Sequence, residues 1–418
     1  MSTELARQSD VQGELPAVAR LAGTAGAALV DRVQELHEAV AGRSFAGPAA
    51  AGSPARVVHD GLARTAYGGV RNAVRGAAGV LGAVAEQHPV ARTARPLSGT
   101  PRGAFVLGAL NGWLGDRLDA EGSPLAVRMA VRVGGQDVVC SPEALREAFP
   151  AATPRVAIFL HGLMETEDAW RLGADRGPTY GQTLREHGWT PVFLRVNTGL
   201  HISDNGRRLA ALLEDLVDGW PVHVERLALV GHSMGGLIAR SACHQATADG
   251  RAWPRRVRHL VLLGTPHHGA PLERLTARGV SLLARLPEGE PLAALLRSRS
   301  AGIKDLRHGA LLEDDWRDLD PDLDLDDRRG DVPLPENVRH HVVAATLHAD
   351  PQHPLSRVLG DLLVLDASAH GRHETRHIAF EPDDLRHLGG LTHFALLNNP
   401  AVHELLVEWL CERRALPA

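Results

Sequence analysis

Cysteine is scarce in this chain. Only Cys140, Cys243 and Cys411 occur in 418 residues. They are odd in number and far apart, which excludes a disulfide framework and paired-thiol metal spacing, and predicts a reducing, cytoplasmic setting. Aromatics make up 4% of the residues, against abundant alanine, glycine and arginine. An excess of positive charge is also missing. The formal net charge is −5, which argues against nucleic acid as a partner, because phosphate binding needs a basic field. Long apolar runs are absent too. The best early one, Leu21 to Val30, is too short to span a bilayer and contains two glycines. Glu4, Asp10 and Glu14 precede it, a pattern unlike a signal peptide. No internal repeat is found.

What is present divides in two. Residues 1–120 read as a helical N-terminal extension. Val58, Leu62, Tyr67, Val70, Val74, Ala77, Leu81 and Val84 recur at helical steps. Arg56, Arg64, Arg71 and Arg75 outnumber Asp60 there, so peripheral contact with an anionic membrane is one expectation. A helix packed on its own domain is the other, since most amphipathic helices cover a core. Residues 121–418 alternate short apolar runs with helical segments, the signature of an α/β fold with a mostly parallel sheet and helices on both faces. Expected strands include Arg155–Leu160, Thr190–Val196, Arg226–Val230, Arg258–Leu263, His340–Thr346 and Arg376–Phe380. A hairpin is expected at Gly134-Gly135. Helices are expected over Ser203–Val217, with Ser203 as N-cap, over Gly235–Ala246 and over Ala401–Cys411. Residues 270–335 interrupt the alternation, as a lid or cap over the carboxyl edge of the sheet would.

The motif Gly231-His232-Ser233-Met234-Gly235 lies between an apolar strand and a helix. A sharp turn there lifts the serine hydroxyl above the sheet. Glycines on either side let strand and helix close on each other, and the helix N-terminus supplies positive potential for an oxyanion. A nucleophilic serine needs a base, and the base needs an orienting acid. In such a strand–turn–helix setting the order is serine, acid, histidine. His393 falls after the last expected strand and before the final helix, where an imidazole would overhang Ser233. Asp361 is the preferred acid, with Asp366 its competitor and Asp350 behind both. The N–H of Leu163, in the loop after the expected strand Arg155–Leu160, and that of Met234 are the expected oxyanion donors. His161 and Gly162 shape that loop, His161 as a hydrogen-bonded anchor. His267 and His268 border the expected pocket as substrate contacts or as turn residues. Asp320, Asp322, Asp324 and Asp331 fall on a calcium-loop spacing, but Leu325 stands where its sharp turn needs glycine. His370, His373 and His377 lack a completing ligand, so no metal is expected.

Taken together, His161-Gly162-Leu163, Gly231-His232-Ser233-Met234-Gly235-Gly236, Leu263-Gly264-Thr265-Pro266-His267-His268-Gly269, Gly360-Asp361 and Gly390-x-x-His393 resemble the α/β-hydrolase lipases and esterases. The similarity is to the bacterial triacylglycerol-lipase-like and GPI inositol-deacylase-like group, and it covers about residues 155–411. It implies hydrolysis of acyl or lipid esters, with Ser233 as nucleophile, Asp361 as acid, His393 as base, Leu163 and Met234 as oxyanion donors, and no cofactor. Many relatives read Asp-Gly-x-Val-Pro around the acid, whereas this chain has Asp361-Leu362-Leu363-Val364-Leu365. An acyltransferase on the same triad, and a non-catalytic lipid-binding protein on the same scaffold, are the alternatives.

Overall fold

The computed structural model describes residues 2–44, 54–87, 97–270, 296–319, 329–350, 360–373 and 376–411, with residues 327, 353 and 356. Its contacts divide it into two units.

The first unit holds α1 (Ser2–Ser44) and α2 (Pro54–Gln87). They run antiparallel. A Cβ on Gly26 would sit 2.8 Å from Val74 Cγ1, and Arg71 pairs with Asp31 further along. The helices therefore approach closely at Gly23 and Gly26 of α1, which meet Ala78 and Val74 of α2. Val70, Val80 and Leu81 stay exposed. No helix among the described residues is long and apolar enough to cross a membrane.

The second unit contains α3 (Pro101–Ala120) and an eight-stranded sheet. The strands are β1 (Ala130–Val133), β2 (Gln136–Val138), β3 (Arg155–Leu160), β4 (Thr190–Arg195), β5 (Arg226–His232), β6 (Val257–Leu263), β7 (Arg339–Thr346) and β8 (Leu385–Gly389). Their spatial order is β2-β1-β4-β3-β5-β6-β7-β8. β3 to β8 are parallel, and the β1–β2 hairpin is antiparallel at one edge. Both faces of the central strands are buried, which is why they read as continuous apolar runs. Val156, Ile158 and Leu160 of β3 face a core shared with α6 (Ile202–Gly219) and α7 (Met234–Ala248). Ala157 and Phe159 face a second core with Tyr180, Trp170 and the closing helix Pro400–Cys411.

Three expectations need adjustment. Residues 376–380 are not a strand; only an isolated bridge joins Arg372 to His377. The last strand is β8, whose Leu-Arg-His-Leu-Gly sequence is half-buried at the sheet edge and so lacks the apolar run of a central strand. Ser203 does not cap α6. The helix begins one residue earlier, and Asp305 receives the N–H of Ile202 at 2.8 Å. The helix α3 groups with the sheet, not with the two helices before it. Of the region 270–335, residues 271–295 and 320–326 lie outside the described residues, and Asp320, Asp322 and Asp324 of the calcium-type spacing lie there too. From Ser300 onward its described portion belongs to the sheet unit: Leu306 and Leu311 join the core, and Ser300 Oγ donates to the carbonyl of Gly112 at 2.6 Å.

Candidate active site

β5 ends at His232 and α7 begins at Met234, so Ser233 alone makes the turn. It does so at φ 54° and ψ −124°, a backbone region costly to a residue with a Cβ. Neighbouring sequence permits it. A Cβ on Gly231 would be driven into the backbone of Gly236, and one on Gly235 into the carbonyl of Leu160. The Ser233 N–H donates to Leu263 O at 2.8 Å, which pins the turn to β6. The Ser233 hydroxyl makes no hydrogen bond among the described residues, and Met234 begins a helix whose first N–H groups have no acceptor within it.

His393 is 2% exposed and Asp361 1%. The His393 Nδ1–H donates to Asp361 Oδ2 at 2.7 Å. Asp361 Oδ1 accepts from the N–H groups of Leu363 and Val364, at 3.0 and 2.8 Å, so the carboxylate cannot rotate freely. The His393 N–H also donates to Asp361 O at 3.1 Å, joining the two loops by backbone as well. The imidazole lies tilted by 42° to the ring of His232, with centroids 4.7 Å apart, and its Nε2 has no hydrogen-bond partner among the described residues. Asp366 is engaged elsewhere, 3.1 Å from His370 and 3.3 Å from Arg372.

The loop after β3 reaches the serine from the other side. A Cβ on Gly162 would lie 3.0 Å from Ser233 Cβ. The Leu163 N–H donates to nothing among the described residues. His161 is fully buried and anchors this loop. Val196 N–H donates to its Nε2 at 2.9 Å, which leaves the proton on Nδ1, 3.0 Å from Gly162 O. Burial holds its pKa below the usual histidine range.

His267 and His268 stand apart from the serine. They line a cleft of about 810 Å³ with Arg240, Arg329 and Arg376, and none of Ser233, Asp361 or His393 lines it. Arg240 donates to His267 Nδ1 at 3.2 Å, and the His268 N–H donates to Ser368 Oγ at 3.0 Å. Burial pushes the His268 pKa down to about 4.

Two features of the site had not been read from sequence. Glu165, one turn after Gly162, is a buried carboxylate that accepts the Gly162 N–H at 2.7 Å and lies 3.1 Å from His232 Nδ1. Burial opposes both charges, yet each partner outweighs it, lowering the pKa of Glu165 and raising that of His232. The other is the glycine face of α3. A Cβ on Gly108 would lie 2.9 Å from the carbonyls of Met164 and Glu165, and one on Gly112 would lie 3.0 Å from Met164 Cα. The helix thus backs the loop that carries Leu163. The spacing Gly108, Gly112, Gly115 was the available signal.

Leu362, directly after the candidate acid, sits at φ 88° and is 55% exposed. That backbone region suits the glycine found there in many relatives. Leu362→Gly is expected to raise the urea midpoint, by about 1 kcal/mol of stability, because relief of strain outweighs the added freedom of the unfolded chain. A lowered midpoint would show that the leucine is not strained.

A mostly parallel sheet with a glycine-framed serine at the tip of its central strand defines the α/β hydrolases. Residues 155–320 match the model of the PGAP1-like alpha/beta domain family, and the sheet topology is that of an α/β-hydrolase-like fold. The match includes Leu163 and Ser233 and ends before Asp361 and His393. No curated protein matches the chain. Among solved structures, the mature Bacillus licheniformis lipase BlEst2 is similar at 19% identity and a TM-score of 0.38, over 62% of this chain and 93% of that one. A Listeria innocua gene product is similar at 15% and 0.36, over 62% and 95%. A Pyrobaculum calidifontis esterase is similar at 17% and 0.35, over 63% and 75%. Likenesses of this size carry no argument about activity.

Proposed function

We propose that the protein is a serine carboxylic-ester hydrolase of esterase or lipase type. The observation that carries this reading is His393: its Nδ1 is held by Asp361 at 2.7 Å while its buried Nε2 has no partner among the described residues. The Nδ1–H tautomer leaves a lone pair on Nε2, which is what a general base for a serine hydroxyl requires. Ser233 Oγ attacks the ester carbonyl carbon as His393 Nε2 takes its proton. The carbonyl electrons move onto oxygen, where the Leu163 and Met234 N–H groups receive the charge. Each such donor contributes about 3–4 kcal/mol in comparable sites. Collapse expels the alcohol, protonated by His393. Water then attacks the acyl-enzyme with the same base and frees the acid.

A fluorophosphonate probe is expected to bond to Ser233, found by mass spectrometry of the labelled peptide. Folded protein that stays unlabelled would favour the non-catalytic lipid binder.

We also propose that α2 touches anionic membranes. Val70 is exposed beside Arg71, and Val80 and Leu81 are exposed further along the same helix, as on an interfacial helix. Wild-type protein is expected to co-sediment with phosphatidylserine vesicles, and the double change Val80→Ser, Leu81→Ser to weaken that several-fold. Absence of wild-type binding would leave α2 a packing helix only.

A further inference from the structure

We propose that Glu165 and His232 form a buried ion-paired clamp that positions the oxyanion loop against the nucleophile and the base. This rests on the hydrolase reading above.

Three separate loops must keep register for that chemistry: 161–165, the serine turn, and the loop of His393. Glu165 and His232 touch all three. The carboxylate of Glu165 accepts the Gly162 N–H at 2.7 Å, which fixes the residue immediately before Leu163. Its oxygens lie 3.1 and 3.2 Å from His232 Nδ1, on the residue immediately before Ser233. The other nitrogen of His232 is 3.4 Å from the backbone oxygen of His393. A doubly protonated ring fits these partners, since both nitrogens face acceptors. The pair is nearly sealed: side-chain exposure is 0% for His232 and 9% for Glu165. Breaking one end would strand the other charge in the interior.

No simpler duty accounts for this placement. The loop already has its own turn bond, from the Glu165 N–H to Gly162 O at 3.2 Å, and His161 and α3 support it elsewhere. The carboxylate adds a link from the loop to the serine turn. Its hydrogen-bond partners are Gly162 and His232, neither of them a reacting group of the proposed mechanism, so Glu165 is a positioning residue. Displacing a reacting group by about 1 Å can cost 10²-fold in rate.

The test is Glu165→Gln, which keeps size and a Gly162 acceptor but removes the charge. With p-nitrophenyl acetate, kcat is expected to fall by about 10- to 100-fold while KM stays within about twofold. Affinity for a trifluoromethyl ketone, whose hydrated adduct mimics the oxyanion, is expected to fall by the same factor as kcat. A merely structural glutamate would lower Tm and leave both values intact in the folded fraction. Unchanged kcat and inhibitor affinity in folded variant would overturn the clamp. Should Glu165→Gln not fold, His232→Gln tests the same link from its other end, and full kcat there overturns it equally. Wild-type labelling by fluorophosphonate is measured in parallel. If it is absent, the hydrolase reading fails; if it is present, the variants judge the clamp alone.

Discussion

Ser233→Ala is expected to abolish p-nitrophenyl ester turnover, by on the order of 10⁵- to 10⁶-fold in kcat. Ser233 alone occupies the turn between β5 and α7. Stability should scarcely change. The Ser233 hydroxyl makes no hydrogen bond among the described residues, so removing it strands no partner. Alanine must still adopt φ 54°, at a cost similar to that of serine. The measurement is a pair: initial rates at saturating ester and Tm by circular dichroism. Turnover that survives in a folded Ser233→Ala protein would remove the nucleophile assignment.

Asp361→Asn and Asp366→Asn should differ by roughly 10⁴-fold in kcat, the first being the damaged one. Asparagine at 361 can still accept the Leu363 and Val364 N–H groups through its oxygen. Its amide nitrogen then faces His393 Nδ1 and donates to it. The imidazole must carry its proton on Nε2, where it can no longer accept from serine. Asp366 instead meets His370 and Arg372, so its neutralisation is expected to leave kcat within a few-fold. A larger loss at Asp366 would transfer the role of acid to it.

The serine turn was legible because its requirements are local: apolar strand, glycines on both sides, helix. β3, β5 and β6 were legible for a related reason, since strands covered on both faces must be apolar throughout. β8 was not, because an edge strand tolerates Arg386 and His387, while Ile378 and Phe380 look strand-like yet pack on the main core from an irregular segment. Asp361 was preferred to Asp366 by chain order and its place after Gly360, but the partners of the two carboxylates, His393 and His370, were not legible. Glu165 was hidden because its partner lies 67 residues away and nothing local marks a buried acid. The helix α3 was assigned with its neighbours because its inward face is largely glycine, with Gly103, Gly108, Gly112 and Gly115 set alongside Leu107 and Leu118. Apolar periodicity cannot register a surface defined by missing side chains.

That inward face has a practical consequence for anyone shortening the chain. A fragment starting at residue 121 would look tidy, yet it would strip the wall behind Met164 and Glu165 and the carbonyl that Ser300 grips. A cut near residue 100, ahead of Pro101, keeps both in place.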